Sequence, residues 1–367
     1  MNIVFRTDAS INIGTGHVMR CLTLASALRD RGECCSFICR DHPGNLVNLI
    51  HQQGFKVDTL ITPSNQPINK NSVGKKTLFY EEWLGVHWQR DVEQTKNIIG
   101  NQFIDWLIVD HYALDSRWEQ ALKPFYQKLM VIDDLADRLH SCDLLLDQNY
   151  YPDMNTRYKK LISRSCISLI GPEHALLRPE FKEARSNIKL NYVSDEERIF
   201  IFFGGSDPTN ETGKALNAIK LLNLKNIKID VVVGGTNLNY EEINRASIEM
   251  RDVTIYQQVS NIAELMNNAS LAIGAGGLTS WERCCVGLPS IVWCIAENQI
   301  ALAEYLDEVG VCVNLGRAEF VTPEIASMAI SNLLNKKYKR LKMKKKCLKI
   351  LDGEGAPSVL KKINIKL

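Results

Sequence analysis

Near the start of the chain, the segment IGTGHVMRC (residues 13–21) places two glycines close before a histidine. A short apolar run precedes it and an amphipathic stretch follows, which predicts a strand, a glycine turn and a helix start. Backbone N–H groups at such a turn can bind an anion, and Gly14 and Gly16 would let a ligand approach closely. The helix start also disfavours the imidazolium form, so we expect a neutral His17 that can accept a proton. Asp8 is the candidate partner for the other ring nitrogen.

The alternative for His17 is structural: the ring caps the helix or touches a phosphate without taking part in chemistry. Two nucleotide motifs can be set aside. The dinucleotide pattern G-x-G-x-x-G needs a third glycine where Met19 stands. The segment GGSDPTNETGK (204–214) has the wrong spacing for a P-loop and is followed by Ala215 instead of a hydroxyl residue. The residues therefore disfavour a nicotinamide cofactor and Mg-ATP.

A second glycine turn lies in the segment IGAGGLTSWERCC (273–285), again between an apolar strand and a predicted helix. Glu282, on the first turn of that helix, could accept two hydrogen bonds from the vicinal hydroxyls of a ribose. The alternative for Glu282 is an acid favoured there by the helix dipole. The next buried strand leads to Asn298 and Gln299, whose side chains could reach a sugar. Glycines and hydroxyls at this kind of turn suit a pyrophosphate, and the candidates are Gly276, Gly277, Thr279 and Ser280.

The composition bounds the class of protein. With 367 residues, the chain is long enough for two domains, each with its own core. Its 45% apolar and 23% charged residues are typical of a soluble globular protein, and a net charge of +2 argues against a dedicated nucleic-acid binder. The eleven cysteines have no repeated spacing, and we find neither a signal sequence nor an apolar run of the ~20 residues that a membrane span needs. We therefore expect a cytoplasmic protein with reduced thiols.

Short apolar runs alternate with longer amphipathic stretches, which predicts an α/β protein with parallel sheets. Several predicted strands end at Asp or Tyr, and we expect one functional edge because open α/β sheets bind ligands at the carboxyl ends of their strands. A polar, poorly periodic stretch interrupts the alternation before it restarts near residue 199. The predicted organisation is a first domain at 1–181 that carries the base, a linker at 182–198, a second domain at 199–350 and a C-terminal tail at 351–367.

Near the end of the chain, residues 335–349 hold nine lysines and arginines. We interpret this stretch as a solvated helix, because it has few aromatic or bulky apolar residues to insert into lipid or to stack on bases. Weak attraction to an anionic membrane surface stays open.

Three segments carry a family resemblance: RTDASINIGTGHVMRCLTLASAL (6–28), VDHYALD (109–115) and FFGGSDPTN (202–210). From residue 3 to about 310, the chain is similar to the UDP-2,4-diacetamido-2,4,6-trideoxy-β-L-altropyranose hydrolases of pseudaminic acid biosynthesis. Its C-terminal segment also resembles the nucleotide-binding half of GT-B glycosyltransferases, in particular the lipid II-forming N-acetylglucosaminyltransferase of peptidoglycan synthesis.

The resemblance implies a GT-B-like α/β fold, in which two Rossmann-like, doubly wound parallel-sheet domains face a cleft. It implies that the C-terminal domain binds UDP and that residues of both domains bind the sugar. The implied reaction is hydrolysis by C–O cleavage with inversion, with UDP as the leaving group and without a metal or cofactor. The free sugar would then supply a nonulosonic acid for bacterial surface glycans.

The resemblance also assigns roles to single residues. His17 would be the general base that activates water at the anomeric carbon, while Tyr112 and Asn298 would orient the water or the sugar. Glu282 would bind the ribose, and the backbone near Val259 would contact uracil. The diphosphate would be surrounded by Ser206, Thr279 and Ser280.

Other candidates carry less weight. The residues around His42 lack metal-ligand spacing. Asp133 and Asp134 could form a catalytic pair, although acids at a strand end more often cap the next element. His111 could be a second base, but side-chain alternation along an extended segment directs it away from Tyr112.

Two other functions stay open. A glycosyltransferase would use the same nucleotide site and would employ His17 to deprotonate an acceptor hydroxyl. A non-catalytic UDP-sugar-binding protein would bind without turnover and would tolerate the loss of His17. The motif around His17 favours the hydrolase, and release of free sugar in the absence of an acceptor discriminates hydrolysis from transfer.

Overall fold

A computed structural model of the chain describes residues 1–62, 78–188, 197–248, 250–257 and 259–363. The chain divides into two compact units: the first comprises Met1–Leu176 together with Ala356–Leu367, and the second comprises Leu177–Gly355. Each unit is built around a parallel β-sheet with helices, which confirms the predicted α/β class with two parallel-sheet domains.

The strands, in chain order, are β1 (Asn2–Thr7), β2 (Cys34–Arg40), β3 (Lys56–Leu60), β4 (Ile104–Asp110), β5 (Tyr126–Ile132), β6 (Leu144–Asp147), β7 (Ile167–Ile170), β8 (Glu197–Phe202), β9 (Ile227–Val233), β10 (Val253–Gln257), β11 (Leu271–Ala275), β12 (Ser290–Cys294) and β13 (Cys312–Arg317). The α-helices are α1 (Gly16–Arg29), α2 (Val47–Gln52), α3 (Leu78–Glu81), α4 (Trp88–Ile99), α5 (Ser116–Ala121), α6 (Pro179–Ser186), α7 (Glu211–Leu222), α8 (Tyr240–Ile248), α9 (Ile262–Asn268), α10 (Thr279–Cys285), α11 (Ile300–Glu308), α12 (Pro323–Leu334), α13 (Lys337–Ile350) and α14 (Gly355–Ile363). Short 3-10 turns lie at Glu82–Leu84, Lys123–Phe125, Pro172–His174, Glu297–Gln299 and Ala318–Phe320.

The strand order is β3-β2-β1-β4-β5-β6-β7 in the first unit and β10-β9-β8-β11-β12-β13 in the second, with parallel pairing throughout. In the first unit, successive strands extend one way from β1 and the other way from β4, and in the second unit the same reversal lies between β8 and β11. Ligands of open α/β sheets bind beside such a reversal, at the carboxyl ends of the strands. The loops after these four strands are therefore the candidate positions for functional residues.

Side-chain alternation determines which face of the first sheet each residue serves. Phe5 of β1 and Ile108 of β4 pack in the core cluster that contains the apolar residues of α1. Val4 and Val109 instead pack in the cluster that contains Val92 of α4. Both faces are thus covered by helices, which explains why these strands are nearly continuous runs of apolar residues.

The division of the chain differs from the predicted domain boundaries. The second unit begins at Leu177, before α6, whereas the prediction ended the first domain at 181 and began a linker at 182. The α6 helix belongs to the second unit because Phe181 is fully buried and the Arg185 guanidinium donates to two backbone carbonyls of that unit, at 3.0 and 2.7 Å. Residues 189–196 of the predicted linker lie outside the described residues.

The predicted C-terminal tail is also corrected. Its residues from Ala356 belong to the first unit, and α14 buries a face in that unit's core through Ala356, Val359, Leu360 and Ile363. This spacing is that of an amphipathic helix, whose apolar side is stable only when another element covers it. The last residues of the predicted tail, 364–367, lie outside the described part of the chain.

The lysine-rich stretch forms the helix α13, which buries Arg340, Met343 and Cys347 while most of its lysines are exposed. Among the described residues, we find no helix whose length and apolar content would let it cross a membrane.

Candidate active site

His17 is the second residue of α1, which begins at Gly16 after the loop that follows β1. In this loop, Gly14 has a φ of +79°, a conformation that glycine adopts without strain, and its N–H donates to the Ser10 carbonyl at 2.8 Å. The Thr15 side chain does not cap the helix, so it leaves the first-turn N–H groups of α1 without that acceptor. The predicted strand, glycine turn and helix start are therefore present.

The carboxylate of Asp110, at the end of β4, holds the ring of His17. The distance from His17 Nδ1 to Asp110 Oδ1 is 2.6 Å, and both side chains are buried. In the neutral ring, Nδ1–H donates to this carboxylate and the lone pair lies on Nε2. Across the described residues, no group hydrogen-bonds Nε2. The arrangement is that of a histidine base oriented by an acid.

The prediction that Asp8 holds His17 is wrong. Val4, Arg6 and Asp8 alternate onto the α4 side of the sheet, whereas α1 covers the opposite side. Asp8 Oδ1 instead accepts from Arg6 Nη1 and from the Arg40 backbone N–H, both at 2.6 Å, and Asp8 Oδ2 lies 3.3 Å from His111 Nε2. His111 thus points away from Tyr112, as alternation predicts.

Three further side chains complete what we call the histidine cluster: His17, Arg20, Asp110, Tyr112 and Asp134. Arg20 donates to both oxygens of Asp110, at 2.6 and 2.7 Å, and to Asp134 at 2.7 Å. The Tyr112 hydroxyl also donates to Asp134, at 2.7 Å. Two carboxylates therefore face one guanidinium, which leaves a negative charge to offset the positive charge that His17 gains when it accepts a proton.

Charge pairing keeps Asp110 and Arg20 ionised although both side chains are buried. Burial would raise the pKa of Asp110, but the Arg20 guanidinium and the hydrogen bonds from Arg20 and His17 outweigh burial and hold the pKa well below its ordinary value. Burial would lower the pKa of Arg20, and the two carboxylates raise it well above its ordinary value instead. Asp110 is therefore a permanent anion beside His17.

Aromatic rings line one side of the cluster. The Tyr112 ring lies edge-on to the His17 ring with centroids 4.5 Å apart, and Trp83 stacks on Tyr112 at 5.7 Å. Tyr80 packs against Trp83 at 4.7 Å. These rings keep water from that side of the base and offer apolar faces against which the C–H groups of a sugar can pack.

Asp133 and Asp134 do not act as a pair. Asp134 belongs to the histidine cluster, whereas Asp133 forms an ion pair with Arg138 at 2.8 Å and accepts from the Tyr158 hydroxyl at 2.9 Å. Over the described residues, no group of three or more His, Cys, Asp or Glu side chains is placed to hold a metal ion, and metal independence stays a prediction.

In the second unit, the turn after β11 has the predicted form. Gly276 is buried, and a Cβ there would lie 3.0 Å from the Ala303 Cβ, whereas a Cβ at Gly277 would lie 3.3 Å from Gln299 Nε2. The Gln299 side chain is fixed beside the turn because its Oε1 accepts from the Ile295 N–H at 3.0 Å. Asn298 is exposed on the adjacent 3-10 turn. The structure therefore brings Gln299 and the glycine turn together.

The hydroxyls of this turn have a partner that was not predicted. Arg283 donates to Thr279 Oγ1 at 3.2 Å and to Ser280 Oγ at 2.8 Å. Ser280 is only 3% exposed, so its hydroxyl is directed inward, whereas Thr279 is half-buried. Glu282 lies on the first turn of α10 and accepts from Arg178 at 3.3 Å; burial outweighs this arginine and raises the pKa of Glu282.

Ser206 lies in the loop after β8, which is adjacent to β11 in the sheet. Its neighbour Gly205 approaches another backbone closely, since a Cβ at Gly234 would lie 2.0 Å from the Gly205 carbonyl oxygen. Asp207 accepts from the N–H groups of Glu211 and Thr212 on the first turn of α7, at 2.8 and 2.9 Å. Val259 follows β10, at the same carboxyl edge but two strands away from β8.

Sequence reasoning missed three residues of these sites, Arg20, Asp110 and Arg283, and it considered Asp134 only as half of a pair with Asp133. Signals for two of them exist. Arg20 comes three residues after His17, and residues at this spacing share a helix face. Asp110 is two residues after Ile108 on β4, so both side chains lie on the same face of the sheet, and Ile108 packs on the α1 side.

Comparisons with known proteins agree with this architecture. Residues 199–362 match the family model for the glycosyltransferase family 28 C-terminal domain. The chain is 30% identical over 357 residues to the spore coat polysaccharide biosynthesis protein SpsG of Bacillus subtilis, a match that covers 97% of this chain and 95% of that protein. It is 25% identical over 313 residues to the UDP-2,4-diacetamido-2,4,6-trideoxy-β-L-altropyranose hydrolase of Campylobacter jejuni, covering 84% of this chain and 97% of that protein.

Among solved structures, MurG of Acinetobacter baumannii aligns with this chain over 100% of both chains, with a TM-score of 0.61 and 15% sequence identity. This likeness concerns the fold. Together, the matches confirm the predicted family resemblance and the GT-B-like fold class.

Proposed function

Because this chain belongs to the family of the spore coat polysaccharide biosynthesis protein SpsG, we propose that it is an enzyme that acts on a UDP-sugar. The similarity to the Campylobacter jejuni hydrolase supports the specific reaction: hydrolysis of the glycosidic C–O bond of UDP-2,4-diacetamido-2,4,6-trideoxy-β-L-altropyranose. The products are UDP and the free sugar, formed with inversion and without a metal or cofactor. The sugar would serve pseudaminic acid biosynthesis.

In the proposed reaction, His17 is the general base. Asp110 holds Nδ1–H, which leaves the lone pair on Nε2 to take a proton from water as the water attacks the anomeric carbon. The surplus negative charge of the histidine cluster stabilises the imidazolium that forms. Arg20 keeps Asp110 in place, and Tyr112 orients the water or the sugar beside the base.

The leaving group is UDP, and its binding is proposed for the second unit. Glu282 would hold the ribose and the backbone at Val259 the uracil, while Asn298 and Gln299 would contact the sugar. The diphosphate would be bound by N–H groups and hydroxyls of Ser206, Gly276, Gly277, Thr279 and Ser280. Since Ser280 faces inward onto Arg283, we assign the direct hydroxyl contact to Thr279.

The observation that carries the proposal is the hydrogen-bonded pair of His17 and Asp110. A protein that only binds a UDP-sugar has no need for a base whose second nitrogen is held by a buried anion. A glycosyltransferase is the second candidate, and the match to the glycosyltransferase family 28 C-terminal domain favours it. In that case His17 would deprotonate an acceptor hydroxyl instead of water.

The experiment is NMR of the purified protein with the UDP-sugar and without an acceptor, in one sample with chelator and in another without it. We expect UDP and the free α-sugar to appear, and we expect His17→Ala to abolish turnover. The matched control is His51→Ala, an exposed histidine of α2, which should keep the parent rate.

Each of three contrary outcomes would exclude a different part of the proposal. An unchanged substrate spectrum with the parent protein would contradict the hydrolase proposal and favour transfer to an acceptor. Full activity of His17→Ala would show that the histidine is not the base. Loss of activity in chelator alone would overturn metal independence.

A further inference from the structure

A buried arginine lies beneath the glycine turn of the second unit and has no role in the mechanism above. Arg283 is only 2% exposed. Its Nη2 donates to the Ala275 carbonyl and to Ser280 Oγ, both at 2.8 Å, and its Nη1 donates to Thr279 Oγ1 at 3.2 Å. The guanidinium therefore ties the end of β11 to the hydroxyls on the first turn of α10.

Among the described residues, the charge of Arg283 is not paired directly with an acid, although Glu282 acts on it from a distance. No carboxylate in the described part of the chain forms an ion pair with it, and its Nε is buried without a hydrogen-bond partner there. The neighbouring Glu282 pairs with Arg178 instead. Burial accordingly lowers the pKa of Arg283. A buried cation without a paired counter-charge destabilises the folded protein. Arg283 at this position therefore indicates a functional role that offsets the cost in stability.

Another buried arginine of the same unit shows the ordinary arrangement. Arg340 is 4% exposed and pairs with Glu197 while it donates to two backbone carbonyls. Arg283 has the backbone and hydroxyl acceptors but lacks such a carboxylate. The missing negative charge is the feature that separates the two residues.

The structure makes room for this guanidinium. A Cβ at Gly274 would lie 2.3 Å from the Phe202 carbonyl oxygen and 3.1 Å from Arg283 Nη1. Glycine in β11 thus lets the arginine approach the strand directly below the turn. The backbone at this turn therefore accommodates the Arg283 guanidinium directly beneath it.

We propose that Arg283 is a positioning residue for the diphosphate of the substrate. By donating to Thr279 Oγ1, it occupies an acceptor site of that hydroxyl and leaves the O–H to donate to a phosphate oxygen. Its positive charge strengthens this hydrogen bond, and the bound diphosphate supplies the missing counter-charge. The inference rests on the proposed function, because it takes UDP to bind at this turn.

The test compares ligands that differ in phosphate number. Binding of UDP, UMP and uridine is measured by titration calorimetry for the parent and for Arg283→Met. We expect Arg283→Met to weaken UDP binding about tenfold or more, because a hydrogen bond to a charged group is lost, and to change uridine binding less than about twofold. Thr279→Val should weaken UDP binding in the same direction, and Thr279→Ser should restore it.

The controls separate charge from packing. Arg340→Met removes another buried arginine of the unit and should lower stability without changing the preference for UDP over uridine. The double variant of Arg283→Met and Thr279→Val should bind UDP no more weakly than the weaker of the two single variants, since both changes remove the same contact. If Arg283→Met does not fold, the comparison of Thr279→Val with Thr279→Ser answers the same question.

Equal losses of UDP and uridine affinity in Arg283→Met would overturn the inference and leave the proposed function standing. Unchanged UDP binding in both Arg283→Met and Thr279→Val would do the same. Absence of UDP binding by the parent protein would overturn the proposed function, and this inference with it.

Discussion

The ring of His17 is held at Nδ1 by Asp110 and meets the ring of Tyr112 with centroids 4.5 Å apart. Arg20 binds both oxygens of Asp110, so the carboxylate cannot turn away from the histidine. This geometry sets the tautomer of His17 and directs Nε2 away from the protein partners. At the scale of single residues, the efficiency of the proposed base depends on Asp110 as much as on the imidazole.

Asp110→Asn should therefore reduce kcat about 100-fold or more and change KM little. The amide keeps the shape of the carboxylate but removes the charge, and it can present its NH2 group to Nδ1, which favours the wrong tautomer. Steady-state release of UDP measures this effect. The control is Asp91→Asn, which removes another buried carboxylate on the α4 side of the sheet. It should lower the free energy of unfolding while kcat stays near the parent value. An equal loss of kcat in both variants would contradict the role of Asp110.

At the scale of elements, a second buried ion network joins β1, β2 and α4. Asp91 of α4 accepts from Arg6 at 2.7 Å and from Arg40 at 2.6 Å, and Arg6 also donates to Asp8 at 2.6 Å. Burial would raise the pKa of Asp8 and of Asp91, but the arginines outweigh burial and lower both values. Arg6 and Asp8 of the N-terminal motif thus hold these elements together, directly before the loop that leads to α1 and His17.

This network predicts acid sensitivity. Because the folded-state pKa values of Asp8 and Asp91 are depressed, their stabilising contribution is present above the unfolded value of about 4 and is lost as the pH falls toward the folded values. The free energy of unfolding in urea should therefore decrease from pH 5 downward. Asp91→Asn should reduce this slope, whereas a change at the exposed Asp30 should not. An unchanged slope in Asp91→Asn would show that the network does not govern acid unfolding.

At the scale of the complete chain, two units of similar strand order follow each other, and the chain then returns to the first. The returning helix α14 buries Val359 and Leu360 in the core of the first unit, more than 300 residues after β1. The stability of the first unit therefore depends on the far end of the chain, which the predicted free tail would not require.

Leu360→Ala should lower the free energy of unfolding of the first unit by about 2–5 kcal/mol, because it leaves a cavity in a closed core. The control is Lys361→Ala on the exposed side of the same helix, for which a change within about 0.5 kcal/mol is expected. Hydrogen exchange of β1 and β4 amides reports on the first unit directly. Equal protection of these amides in Leu360→Ala and in the parent would contradict the assignment of α14.

Structural features that depend only on residues close together in the sequence could be predicted from it. The turns at Gly14 and Gly276 lie between a strand and a helix, as glycine placement and hydrophobic periodicity indicate. The alternation of side chains along the strand correctly predicted that His111 points away from Tyr112. The alternation of predicted strands and helices indicated two α/β domains, since the hydrophobic periodicity of each segment reflects which of its side chains are buried.

The partner of His17 depended on information that no local pattern contains. Asp8 is closer along the chain, but it serves the other face of the sheet; Asp110 is 93 residues away and reaches His17 because β4 pairs with β1. The proposed role of Arg283 likewise could not be predicted from the sequence, because it depends on the burial of the side chain without a paired carboxylate. Local propensity and periodicity act over a few residues, whereas strand order, burial and long-range charge pairing follow from packing an entire unit at the lowest free energy.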